Sequence, residues 1–106
     1  MSKKQKKQKG LNILGYNYEV MEDGVTDETA AFGRHHARLQ KIQIASDLHP
    51  QGKQTTVLHE IIEAINYHLQ LELEHSKIMS LEVGIFQTLT TAGVDLSPLS
   101  TVIKSK

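Results

Sequence analysis

QTTVLHEIIEAINYHLQLEL, residues 54–73, carries the strongest periodic signal in the chain. Val57, Leu58, Ile61, Ile62, Ala64, Ile65 and Leu69 gather on one broad apolar face of a helix that is firm from about Thr55 to Leu69. His59, Glu63 and Asn66 lie together just beyond the edge of that face, with Glu60 and Tyr67 further round. At about 100° per residue, His59 and Glu63 stand one helical turn apart and project from one side. The helix therefore offers an imidazole and a carboxylate to a single ion, while Glu60 points to the flank where a water could be polarised. A His and a Glu one turn apart also form a common solvated pair worth only a few tenths of a kcal/mol, so the motif needs support from elsewhere in the chain.

A second helix supplies it. Ser76 is a suitable N-cap and Gly93 a suitable stop, bracketing SKIMSLEVGIFQTLTTAG. Ile78, Met79, Leu81, Val83, Ile85, Phe86 and Leu89 give this segment an apolar stripe, and Glu82 projects from near its middle. A buried, unpaired carboxylate costs several kcal/mol, so Glu82 must be neutralised, hydrogen-bonded or bound to a cation. With a short turn at residues 72–75 and antiparallel packing, Glu82 comes to face the His59 and Glu63 side of the first helix. One His and two Glu then converge.

Ahead of the helices the period changes from 3.6 to 2. In LNILGYNYEVME, residues 11–22, Tyr16, Tyr18 and Val20 alternate with Asn17 and Glu19, as in a half-buried strand. Asp23 and Gly24 signal a turn, and TDET, residues 26–29, reads as loop or one short helical turn. FGRHHARLQKIQIA, residues 32–45, suggests a second and third strand with a hairpin turn at residues 38–40, Ile42 and Ile44 facing one way and Lys41 and Gln43 the other. SDLHPQG, residues 46–52, is a connection with helix-start features at Asp47, His49 and Pro50, weakened by Gly52. The expected fold is α+β, a small antiparallel sheet of about three strands packed on two main helices.

Length and composition bound the function. The 106 residues make one domain with a modest core. With no cysteine, disulfides, thiolate metal sites and cysteine nucleophiles are excluded, and any metal must be held by nitrogen and oxygen. No apolar run approaches the roughly 18 residues of a membrane span, and the N-terminus lacks the apolar core of a secretory signal, so a cytoplasmic location is expected. The formal net charge of zero hides an asymmetry, since Lys3, Lys4, Lys6, Lys7 and Lys9 supply five of the twelve basic residues. Residues 1–10 read as a disordered basic tail, residues 11–93 as the folded domain and residues 94–106 as an irregular C-terminal tail. No aromatic residue interleaves the lysines for base stacking, so no specific nucleic-acid partner is expected; binding through the tail would be strongly salt-dependent and lost with residues 1–9.

The remaining histidines take structural readings. His35 and His36 are strand neighbours pointing to opposite faces, exposed or hydrogen-bonded. His68 lies on the apolar face almost opposite His59, as a core histidine, and His75 caps or supports the second helix. No spacing selects Tyr67, His35, His36 or His68 as an oxyanion donor.

LHEIIEAINYHL looks like a variant of the His-Glu-x-x-His helix of the zincin metallopeptidases, and SLEVGIF resembles the glutamate helix of the gluzincin branch. The element order also resembles the very small gluzincin-like domains encoded by phages and mobile elements. The resemblance spans residues 11–93, its specific part being the two helical segments. It implies His59 and Glu82 as metal ligands, Glu60 as the general base of amide hydrolysis, and an extended peptide aligned on the edge of the strand at residues 41–45. Glu63 stands where the family has its second His. A carboxylate there can still ligate zinc, but it makes the donor set more anionic and the metal a weaker Lewis acid, so manganese competes with zinc as the cofactor. Glu63 also favours the rival reading, a catalytically inactive zincin-fold module that binds a protein partner.

Overall fold

The computed structural model describes residues 10–23 and 32–105. The expected lysine tail and the TDET segment lie outside them. Within the described residues the chain is α+β: β1 (Leu11–Ile13), β2 (Tyr16–Glu22), β3 (Gly33–His36) and β4 (Lys41–Ile44), then α1 (Pro50–Leu69), α2 (His75–Thr91) and a single turn, α3 (Pro98–Thr101). The sheet has four strands in the order β1-β2-β4-β3 and is mixed, which corrects the expectation of about three antiparallel strands.

Two features account for the difference. Residues 11–22 form a hairpin and not one strand, pairing Ile13 with Tyr16 around a two-residue turn at Leu14 and Gly15. Both turn residues have positive φ, 54° and 91°, the conformation that fits the right-handed twist of the flanking strands. Leucine is a poor residue there, so the sequence carries no Asn-Gly signal for the turn. The second feature is the parallel pairing of β2 with β4, Val20 opposite Ile42 and Glu22 opposite Ile44. Such a non-local pair leaves no local turn signature. The β3–β4 hairpin is antiparallel as expected, with Gln40 at positive φ closing it.

Alternation does set which residues are buried. Tyr18 and Val20 on β2 and Ile42 and Ile44 on β4 point to one face and form the core with Ile13, Val57, Ala64 and Ile103. Helix α1 covers that face. It begins at Pro50, earlier than Thr55, because the fixed φ of Pro50 suits the first turn and Gly52 is tolerated behind it. At its other end Gln70 adopts the left-handed conformation, and the Asn66 side chain accepts a hydrogen bond from the Leu73 backbone at 2.9 Å, shaping the reversal into α2. Helix α2 starts at His75 with Glu74 as N-cap, two residues before the expected cap at Ser76.

Beyond α2, the C-terminal segment is more ordered than its composition suggests. The α3 turn packs on α1, Ile103 enters the core, and the Lys104 backbone donates to Val20 O at 2.7 Å where β1 has run out. No helix among the described residues is long and apolar enough to cross a membrane.

The strained turn gives a test of this local account. Leu14 is half exposed, so little packing is lost on replacing it. Leu14→Asn should stabilise the protein by about 0.5–1 kcal/mol, raising the thermal midpoint by several degrees for a domain of this size. An unchanged or lower midpoint by differential scanning calorimetry would contradict the turn geometry.

Candidate functional site

The two long helices form the antiparallel hairpin that the sequence implies, and the four acidic and histidine positions meet between them. On α1, His59 and Glu63 are one turn apart, with His59 Nε2 3.3 Å from Glu63 Oε2. From α2, Glu82 reaches the other ring nitrogen, its Oε1 lying 3.0 Å from His59 Nδ1. A carboxylate oxygen only accepts, so His59 donates Nδ1–H to Glu82, and its Nε2 faces the second carboxylate, Glu63. His75, in the first turn of α2, places Nδ1 3.5 Å from the same Glu63 oxygen. His59, Glu63 and His75 each offer one atom, all within 4.8 Å of one another, and so could hold a metal ion.

Glu60 is the most unusual residue of the group. It is 5 % exposed, on the side of α1 that faces the sheet. Burial pushes its carboxyl up to about 7, with the nearby His59 opposing that shift and the Glu63 and Glu82 carboxylates adding to it. Gly33 at the start of β3 makes room for it. A side chain there would come within 3.1 Å of Glu60 Oε2 and 2.7 Å of the Thr56 methyl. Glu60 lines a cavity of about 450 Å³ together with Phe32, Gly33, Thr56, Met79, His59, His75 and Glu82. A buried carboxyl with a near-neutral pKa, opening on a cavity beside a His-Glu cluster, has the chemistry of a general base.

All four residues singled out from the sequence, His59, Glu60, Glu63 and Glu82, therefore lie in one place. His75, read from the sequence as a cap or support, joins them. The signal was present, since the hairpin that sets residue 82 beside residue 59 also carries the first turn of α2 alongside residue 63. Gly33 was missed because nothing in one sequence marks which glycine a buried side chain will touch.

The other histidines are elsewhere. His36 Nε2–H donates to Gln43 Oε1 at 2.6 Å, a hydrogen-bonded strand histidine as expected. His35 and His68 both meet the buried Tyr18 hydroxyl, each Nε2 at 2.7 Å, so the phenol donates to one ring and accepts from the other. Tyr16 stacks on His68 with ring centres 4.1 Å apart, which ties the β1–β2 hairpin to the end of α1. The strand at residues 41–45, expected to supply a free edge, is interior; the edge beside the cavity is β3.

No family model, curated protein or solved structure matches the chain.

The raised pKa of Glu60 fixes a pH dependence of stability. Between the ordinary carboxyl value of 4.5 and about 7 the folded state holds a proton that the unfolded chain has lost, so stability falls as pH rises through that window. The full loss is about 3 kcal/mol. In a chelating buffer, Glu60→Gln should lack this decline and be more stable than the parent protein at pH 8, though not at pH 4. Equal urea midpoints for the two proteins at pH 8 would rule out a buried, ionisable Glu60.

Proposed function

We propose that this chain is a metal-dependent hydrolase of peptide bonds, a zincin-like domain with a variant His-Glu-x-x-Glu helix. The observation that carries the proposal is the convergence of one ligand atom each from His59, Glu63 and His75 within 4.8 Å of one another, beside the cavity that the buried Glu60 lines. Two donors come from α1, His59 and Glu63, and α2 brings Glu82 and His75 within reach of the same cluster. Zinc fits a nitrogen and oxygen donor set of this kind, and manganese is the competing ion.

When bound, the cation would act as a Lewis acid and lower the pKa of a water in the cavity. Glu60, whose burial suits it to proton exchange near neutral pH, would accept a proton from that water and return it to the leaving amine. Burial keeps Glu60 out of bulk solvent, and Thr56 and Gly33 hold it against the edge strand. The outer edge of β3 can align an extended substrate by backbone pairing, with Phe32 and Met79 lining the cavity at the start of the strand and Leu39 and Tyr67 lining a separate pocket beyond its end. Those exposed side chains favour apolar residues on either side of the bond cleaved.

A second reading, an inactive domain that binds a protein partner, has one observation in its favour. Helix α2 buries only Ile78, and Leu81, Val83 and Ile85 stand exposed. The two readings separate on Glu60. Zinc-loaded protein incubated with an unfolded protein substrate should release peptides detectable by mass spectrometry, and Glu60→Gln should lower the rate at least about 100-fold while retaining the ion. No zinc-dependent cleavage by the parent protein, or equal cleavage by both proteins, would reject the hydrolase.

A further inference from the structure

We infer that His75 is the metal ligand that replaces the imidazole missing from α1, and that Glu82 acts on His59 from behind instead of binding the ion. The inference rests on the metal-dependent reading above and specifies how its donor set is divided. The two ring nitrogens of His59 point away from each other, and only one can face a given ion. Glu82 occupies the Nδ1 side at 3.0 Å, within hydrogen-bond distance, whereas Glu63 Oε2 lies 3.3 Å from Nε2 and is shared with His75 Nδ1 at 3.5 Å. A carboxylate accepting Nδ1–H fixes the tautomer and ring orientation, and it makes Nε2 a stronger donor.

Distances on the Nε2 side suit direct coordination. Two donors bound to one tetrahedral ion at zinc–nitrogen length stand about 3.4 Å apart. Glu63 Oε2 is 3.3 Å from His59 Nε2 and 3.5 Å from His75 Nδ1. The gap between the two imidazoles is the one that must close, their ring centres being 5.1 Å apart. His75 has the freedom to close it, since its side chain is 68 % exposed and sits in the first turn of its helix. This division leaves two neutral imidazoles and one carboxylate around the ion, in place of one imidazole and two carboxylates. The metal then keeps more of its positive charge, so substituting Glu63 for histidine need not cost Lewis acidity.

The test titrates the full-length, metal-stripped protein with Zn²⁺ in competition with a chromophoric chelator, and records the visible spectrum with Co²⁺. Far-UV circular dichroism checks each variant for folding. His75→Ala should lose at least about 100-fold in Zn²⁺ affinity. Glu82→Gln should lose about 10- to 100-fold, the usual effect of removing a carboxylate behind a ligating histidine, and keep the four-coordinate Co²⁺ bands. Parent-like affinity in His75→Ala would overturn the inference while leaving the metal reading intact, and so would loss of all binding in Glu82→Gln. Absence of Zn²⁺ binding by the parent protein would overturn both.

Discussion

A carboxyl group placed where water barely reaches governs how the rest of the site is built. Glu60 projects from the middle of α1 toward the sheet, and the sheet accommodates it only because β3 begins with a glycine. Its charge is disfavoured by burial and by two further carboxylates nearby, and His59 offsets part of that cost. An arrangement that concentrates three acidic groups around one imidazole is poor design for stability alone. It becomes favourable if a cation enters, because the same negative potential then binds the ion and brings Glu60 toward ionisation at neutral pH.

The scaffold holds this constellation through a few contacts. The core of Tyr18, Val20, Ile42, Ile44 and Val57 fixes α1 across the sheet, and the Asn66 side chain shapes the turn that sets α2 antiparallel to it. From that hairpin follow both cross-helix contacts, Glu82 to His59 and His75 to Glu63. The second cluster, Tyr18 between His35 and His68, lies further along the same helix and connects the edge strand to α1. Burial holds His35 toward its neutral form, which suits a tyrosine hydroxyl that must donate to one ring and accept from the other.

Much of this was legible in the residues. Helical periodicity located α1 and α2, and the hairpin turns Glu82 toward His59 as expected, but the apolar stripe around Glu82 is largely exposed and buries only Ile78. Strand alternation identified Tyr18, Val20, Ile42 and Ile44 as inward-facing. What escaped was non-local or locally unfavourable. The β1–β2 turn uses a leucine at positive φ, against its intrinsic preference, and the parallel β2–β4 pair joins segments separated by β3. The C-terminal segment looked irregular because its order comes from docking Ile103 and pairing Lys104 with β2, not from its own propensity. His75 was read for its place at a helix start, whereas its chemistry depends on a neighbour twelve residues away across the turn.

The central claim is that two helices press imidazole and carboxylate donors into one cation-sized gap. X-ray absorption at the zinc edge, on protein carrying one equivalent of zinc, examines that gap directly. The account predicts a four-coordinate nitrogen and oxygen shell with the outer-shell scattering of two imidazole rings. A six-coordinate oxygen shell without imidazole scattering, the pattern of zinc held loosely by surface carboxylates and water, would contradict it.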